Sequence, residues 1–106
     1  MSERIESIKR MLEESPDDVF LHYSLGMEYA SGGHYDEAAE EFNRCVELDD
    51  GYLAAYVEAG KALRSAGRLG EAREVFLSAR ELASVQGELH MRDYIQQQID
   101  ALGPGS

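Results

Sequence analysis

The chain has 106 residues, the size of a single domain, and 21 acidic against 10 basic side chains give it a formal net charge of −11. A charge of that sign repels phosphate backbones and anionic membrane surfaces, so neither nucleic acid nor a membrane is expected as a partner. The sequence lacks an apolar run near the length of a membrane span, and its polar start, Met1-Ser2-Glu3-Arg4, is unlike a secretory signal. One cysteine, Cys45, excludes an internal disulfide and favours a cytoplasmic location.

Six helices with short turns are predicted in chain order. Apolar side chains at three- and four-residue spacing mark the first helix over residues 2–14, with Ser2 as its N-cap. Pro16 ends that helix and fits the first turn of a second helix that runs to about residue 31, with Ser15 as its cap. The other four helices are predicted at about 36–48, 52–65, 70–84 and 88–102. Because no segment shows a strand pattern, the fold class is all-α.

Residues 25–48 and 59–82 align without a gap at an offset of 34 residues. The same residues recur at the positions with the strictest packing demands: Gly26 and Gly60, Gly33 and Gly67, Glu37 and Glu71, Ala38 and Ala72, Phe42 and Phe76, Leu48 and Leu82. Gly26 and Ala38 indicate a close approach of two antiparallel helices, and Phe42 is expected to fill the space one turn further on. Gly33 is expected to form the turn between the paired helices.

With these residues the chain resembles the tetratricopeptide repeat family, whose period is 34. The matching residues are Leu25, Gly26, Tyr29, Ala38 and Phe42 in one copy and Gly60, Ala72, Phe76 and Ala79 in the other. His22 and Tyr56 stand at the Trp position, and Asp50 stands at the closing Pro position. The resemblance implies a right-handed α-solenoid of antiparallel helix pairs. Its parts are a half-repeat helix (1–15), two repeats (19–52 and 53–86), a capping helix (87–102) and a disordered tail (103–106).

In this family the first helices of successive repeats line a concave groove that binds peptides or proteins. The groove positions of the family correspond here to Phe20, Tyr23, Met27, Tyr52, Val57, Lys61 and Arg64. The aromatic and Met side chains suit an apolar ligand, whereas Lys61 and Arg64 suit a carboxylate. The competing interpretation is that Phe20 and Tyr23 pack on the first helix and that both cations are solvated. Relatives that clamp the carboxylate of chaperone tails carry Lys and Asn where Tyr23 and Met27 stand, so that clamp is not expected.

Neither catalysis nor a cofactor or metal site is predicted. His22, His34 and His90 lie on different helices or turns, and Cys45 occupies a small, packed position. The predicted function is therefore a small protein-binding adaptor whose ligand is a protein or peptide. The alternative is a structural module that self-associates through its terminal helices, with five residues as the contacts to examine: Ile5, Ile8, Tyr94, Ile95 and Ile99.

Overall fold

Six helices follow one another in the computed structural model, which describes residues 2–104 and contains no strand within them. The helices are α1 (Glu3–Glu14), α2 (Val19–Ser31), α3 (Tyr35–Leu48), α4 (Leu53–Ser65), α5 (Leu69–Gln86) and α6 (Leu89–Ala101). The all-α prediction and the number of helices are thereby confirmed for this part of the chain. Of the predicted tail, Gly105 and Ser106 lie outside the described residues.

The start of α2 differs from the sequence prediction. Asp18 caps the helix, because its Oδ1 accepts a hydrogen bond of 3.0 Å from the backbone N–H of Leu21. The prediction that Ser15 caps this helix is wrong. The carbonyl oxygen of Ser15 instead accepts a hydrogen bond of 3.1 Å from the N–H of Asp18, which closes a turn before the helix. Pro16 therefore lies in this turn and not in the first turn of α2.

Glycines form the turns within the repeats, as predicted. Gly33 and Gly67 have φ angles of 81° and 80°, which a residue with a Cβ adopts only at a cost. The turn after α5 uses Gly87, whose φ is 73°. Because Val85 and Gln86 still have helical geometry, α5 extends two residues beyond the predicted end.

The paired helices meet where a phenylalanine ring lies against a glycine. A Cβ built on Gly26 would lie 2.6 Å from Cε1 of Phe42, and one on Gly60 would lie 2.5 Å from Cε1 of Phe76. Both rings are fully buried. The ring of Phe42 thus occupies the space beside Gly26 itself, which corrects the prediction that placed it one turn further on. The same contact in both repeats explains why the glycines and phenylalanines recur together.

Each helix packs mainly on its neighbours in the sequence: α1 on α2, α2 on α3, α3 on α4, α4 on α5 and α5 on α6. One apolar core runs through the stack, which measures 40 × 28 × 19 Å. This pattern is that of a short helical solenoid. It leaves grooves between helices that are not adjacent in the sequence, namely between α2 and α4 and between α3 and α5.

A candidate partner-binding groove

A cleft of about 280 Å³ lies between α2 and α4, the first helices of the two repeats. Its lining residues are Met27, Ala30, Ser31, Tyr35, Glu58, Lys61, Ala62 and Ser65. Of the seven groove residues predicted from the sequence, this cleft brings together Met27 and Lys61. Tyr35 was missed, because the prediction considered only the first helix of each repeat and Tyr35 begins α3.

Tyr23 and Tyr52 form an aromatic pair. Their rings stack with centroids 5.3 Å apart, and the ring of Tyr23 also meets the buried ring of Phe42 edge-on at 5.6 Å. Burial, reinforced by the charge of Glu58, raises the pKa of the Tyr23 phenol, so the hydroxyl remains neutral near pH 7. Tyr23 therefore helps to hold the repeat together as well as offering one edge to solvent.

Phe20 and Val57 lie at opposite extremes of exposure. Phe20 is in the first turn of α2 and is 69% exposed, so it does not pack away on α1 as the competing interpretation proposed. Val57 is only 5% exposed and belongs to the apolar core, so it presents almost no surface to a ligand. Sequence position alone could not separate these two residues, because both occupy groove positions of the family.

Lys61 and Arg64, the two predicted groove cations, have different partners: a carboxylate for Lys61 and a neutral amide for Arg64. Lys61 Nζ lies 3.2 Å from Oε2 of Glu58, one helical turn earlier, and this ion pair offsets its charge. Arg64 donates instead to the amide oxygen of Gln98 in α6, and within residues 2–104 no carboxylate lies within 4 Å of it. The partner Glu58 was foreseeable from its spacing of three residues to Lys61. The contact between Arg64 and Gln98 was not foreseeable from the sequence, because it depends on how α6 packs.

The half-buried packing role predicted for His22 is confirmed. Its Nε2 donates to the carbonyl oxygen of Pro16 at 2.7 Å, and its Nδ1 lies 2.8 Å from Oε1 of Glu41. Cys45 is fully buried, and its Sγ donates to the carbonyl oxygen of Val19 at 3.6 Å. Burial raises the pKa of this thiol to about 11, which keeps it protonated and unreactive near pH 7.

Neither a metal centre nor a membrane span emerges from the described part of the chain. Residues 2–104 contain no group of three or more His, Cys, Asp or Glu side chains placed to hold a metal ion. None of the six helices is both long enough and apolar enough to cross a membrane.

The five residues named for self-association are mostly inside the molecule. Ile5, Ile95 and Ile99 are buried by the packing of α1 and α6 on their own neighbours, and Ile8 is half-buried. Tyr94 is 37% exposed. The exposed apolar surface of the terminal helices therefore comes from other residues, Met11 of α1 and Leu89 and Met91 of α6, together with Tyr94.

The fold and the groove define a short helical-repeat protein, and comparison with known proteins identifies the repeat. A sequence profile of the tetratricopeptide repeat matches residues 19–52. A TPR repeat-containing protein of Pseudomonas aeruginosa is 36% identical over 84 residues, which cover 79% of this chain and 80% of that relative. The chain belongs to the tetratricopeptide repeat family.

Two solved structures share this fold. The second TPR domain of the human RPAP3 protein, in complex with the HSP70 peptide SGPTIEEVD, superposes with a TM-score of 0.81 at 21% identity. That match covers 95% of this chain and 79% of the other. PcrH, in complex with the chaperone binding region of PopD, superposes with a TM-score of 0.85 at 20% identity and covers 92% of this chain and 74% of PcrH.

Proposed function

We propose that this chain is a cytoplasmic interaction module that binds a short segment of a partner protein in the groove along α2 and α4. The observation that carries the proposal is the open cleft between these helices, lined by Met27 and Lys61. Two solved structures with the same fold hold such segments, an HSP70 peptide on RPAP3 and the chaperone binding region of PopD on PcrH. The proposed chemistry is binding without catalysis.

The apolar part of the groove suits an aliphatic or aromatic side chain of the ligand. Met27 is 39% exposed at the cleft, and its unbranched thioether can adapt to ligands of different shape. The ring of Tyr23, one turn before Met27 on α2, stacks with that of Tyr52 at the start of α4, and the pair provides a rigid apolar surface. Phe20, exposed in the first turn of α2, extends this surface.

The polar part of the groove suits an acidic group on the ligand. Arg64 lies on α4 next to the lining residue Ser65, and among residues 2–104 its hydrogen-bond partner is the neutral amide of Gln98. A carboxylate that replaced this amide would gain a charge-assisted hydrogen bond. Lys61 would contribute less, because Glu58 already offsets its charge. The ligand is therefore a segment that combines an apolar anchor with a nearby Asp, Glu or C-terminal carboxylate.

The proposal is tested by selecting peptides from a random displayed library on the purified protein. The strongest binder is labelled, and its Kd is measured by fluorescence polarisation with wild type and with Met27→Ala. We expect Met27→Ala to weaken binding about fivefold to tenfold, a loss of roughly 1–1.4 kcal/mol. Arg64→Ala should weaken binding by a similar factor when the selected peptide contains an acidic residue.

Leu77→Ala is the matched control, because Leu77 is 38% exposed and lies on α5, outside the cleft. It should leave the Kd within about twofold of wild type. Equal affinities for wild type and Met27→Ala, or a loss confined to Leu77→Ala, would contradict binding in this groove.

A further inference from the structure

A second groove lies between α3 and α5, with residues of α4 as its floor. It consists of two adjoining cavities of about 270 Å³ each, which share Asn43, Ala59, Glu74 and Val75. The floor is apolar, because Ala59 and Leu63 of α4 belong to the core and Val75 of α5 packs against it. This groove uses different helix faces from the cleft between α2 and α4.

Two carboxylates line this apolar floor. Glu40 belongs to α3 and Glu74 to α5, and they occupy equivalent positions in the two repeats. Among residues 2–104, neither has a cationic side chain within 4 Å. Glu71, at the same groove, differs because Arg68 binds its carboxylate through two nitrogens at 3.0 and 2.7 Å. The groove thus combines an apolar floor with two carboxylates that form no ion pair among residues 2–104, while Arg68, which lines the same cavity, is paired with Glu71 and Asp36.

We propose that this groove docks a segment of a partner protein that inserts an arginine side chain between apolar neighbours. The aliphatic stem of the arginine would lie on Ala59 and Val75, and its guanidinium would meet Glu40 and Glu74. A planar guanidinium with five N–H donors can bind two carboxylates at once, which the compact ammonium of lysine does less well.

Other occupants fit the groove less well. An acidic segment would be repelled by Glu40 and Glu74, and a second copy of the chain carries the same net charge of −11. The described residues do not place three potential ligands together for a metal ion. The charge and the apolar floor together therefore favour a basic segment. This inference is independent of the proposed function, because it concerns another surface and another class of ligand.

The test titrates the peptide acetyl-Leu-Arg-Leu-amide into the ¹⁵N-labelled full chain and follows backbone amide shifts by NMR at low salt. The shifts should cluster at Ala59, Leu63 and Val75 and at the adjoining residues of α3. The same peptide with citrulline in place of arginine keeps the shape and loses the charge. It should bind at least about fivefold more weakly, since a 1 kcal/mol difference corresponds to roughly that factor.

Charge-matched variants separate a specific site from general attraction to an acidic protein. The double variant Glu40→Gln/Glu74→Gln should weaken binding of the arginine peptide by about fivefold or more. The control Glu13→Gln/Glu14→Gln removes the same charge from exposed positions at the end of α1 and should change the Kd by less than about twofold. Equal losses in the two double variants, or shifts concentrated at the α2–α4 cleft, would overturn the proposal.

A steric variant gives a second, independent readout. Asn43 is exposed on α3 and lines both cavities, so Asn43→Arg should fill the groove with a side chain of the kind proposed for the ligand. Binding of the arginine peptide should be lost while the helical circular dichroism spectrum is unchanged. A folded Asn43→Arg variant that binds the peptide as wild type does would also overturn the proposal.

Discussion

A glycine and a phenylalanine form the central contact of each repeat, and neither residue can be understood alone. Position 26 requires glycine, because the ring of Phe42 occupies the space where a Cβ would lie. Gly60 and Phe76 repeat this arrangement. Both rings are fully buried, so neither has free space to move into. The small residue and the large one are therefore two halves of one packing unit.

Gly26→Ala should destabilise the protein by about 1–3 kcal/mol, because the added methyl group would overlap the Phe42 ring. The measurement is the free energy of unfolding from urea denaturation followed by circular dichroism. Gly70→Ala is the control: Gly70 is in α5 with no neighbouring atom within 4 Å of an added Cβ. There alanine should be neutral or stabilise by up to about 0.5 kcal/mol, because Gly70 is the second residue of α5 and the full propensity difference applies to helix interiors. Similar effects of the two substitutions would contradict this account.

The residues of the candidate groove were predictable to very different degrees. Met27 and Lys61 line the same cleft, and the 34-residue period makes them equivalent positions on α2 and α4. Whether a groove position is open or closed depends on the helix packed behind it, which is why Val57 is buried and Phe20 is exposed. The contact between Arg64 and Gln98 depends on α6, whose sequence does not follow the repeat.

At the level of the helices, the sequence predicted where elements exist better than where they begin. All six helices were found, because glycines or a proline separate stretches with helical spacing. The start of α2 was misassigned, since Ser15, Asp17 and Asp18 are all residue types that can cap a helix. Only the hydrogen bond from Leu21 to Asp18 identifies the cap.

The two candidate caps of α2 can be compared directly. Asp18→Ala should cost about 1 kcal/mol in the free energy of unfolding, because it leaves the N–H of Leu21 without its side-chain acceptor. Ser15→Ala should cost less than about 0.5 kcal/mol, since the hydrogen bond of Ser15 to Asp18 uses the backbone carbonyl. Urea denaturation of both variants gives the answer. If Ser15→Ala lowered the free energy of unfolding more than Asp18→Ala, Ser15 and not Asp18 would be the cap of α2.

For the molecule as a whole, charge is the dominant surface property. A net charge of −11 on 106 residues produces self-repulsion in the compact state, and the ion pairs of the described chain, such as that between Arg68 and Asp36, lie mainly on exposed surface. Screening by salt should relieve the net repulsion more than it weakens these exposed pairs. The stability of the protein should therefore depend on ionic strength.

Raising NaCl from about 10 to about 200 mM should increase the midpoint of thermal unfolding by a few degrees, because the screening length falls from about 30 Å to less than about 8 Å and like charges across the molecule no longer repel one another. Differential scanning calorimetry measures the change. In the Glu13→Gln/Glu14→Gln variant the net charge is smaller, so the increase should be smaller too. A midpoint that falls with added salt would show that local ion pairs outweigh the net charge.

The order of packing along the stack also determines how the protein folds. Because each helix packs mainly on its neighbours in the sequence, few distant parts of the chain must meet before favourable contacts form. Small helical proteins dominated by such local contacts typically fold in microseconds to milliseconds. Two adjacent helices and the Gly26–Phe42 contact between them could form a nucleus on which the remaining helices add in turn. The local connectivity that opens grooves for partners thus also shortens the path from the unfolded chain to the stack.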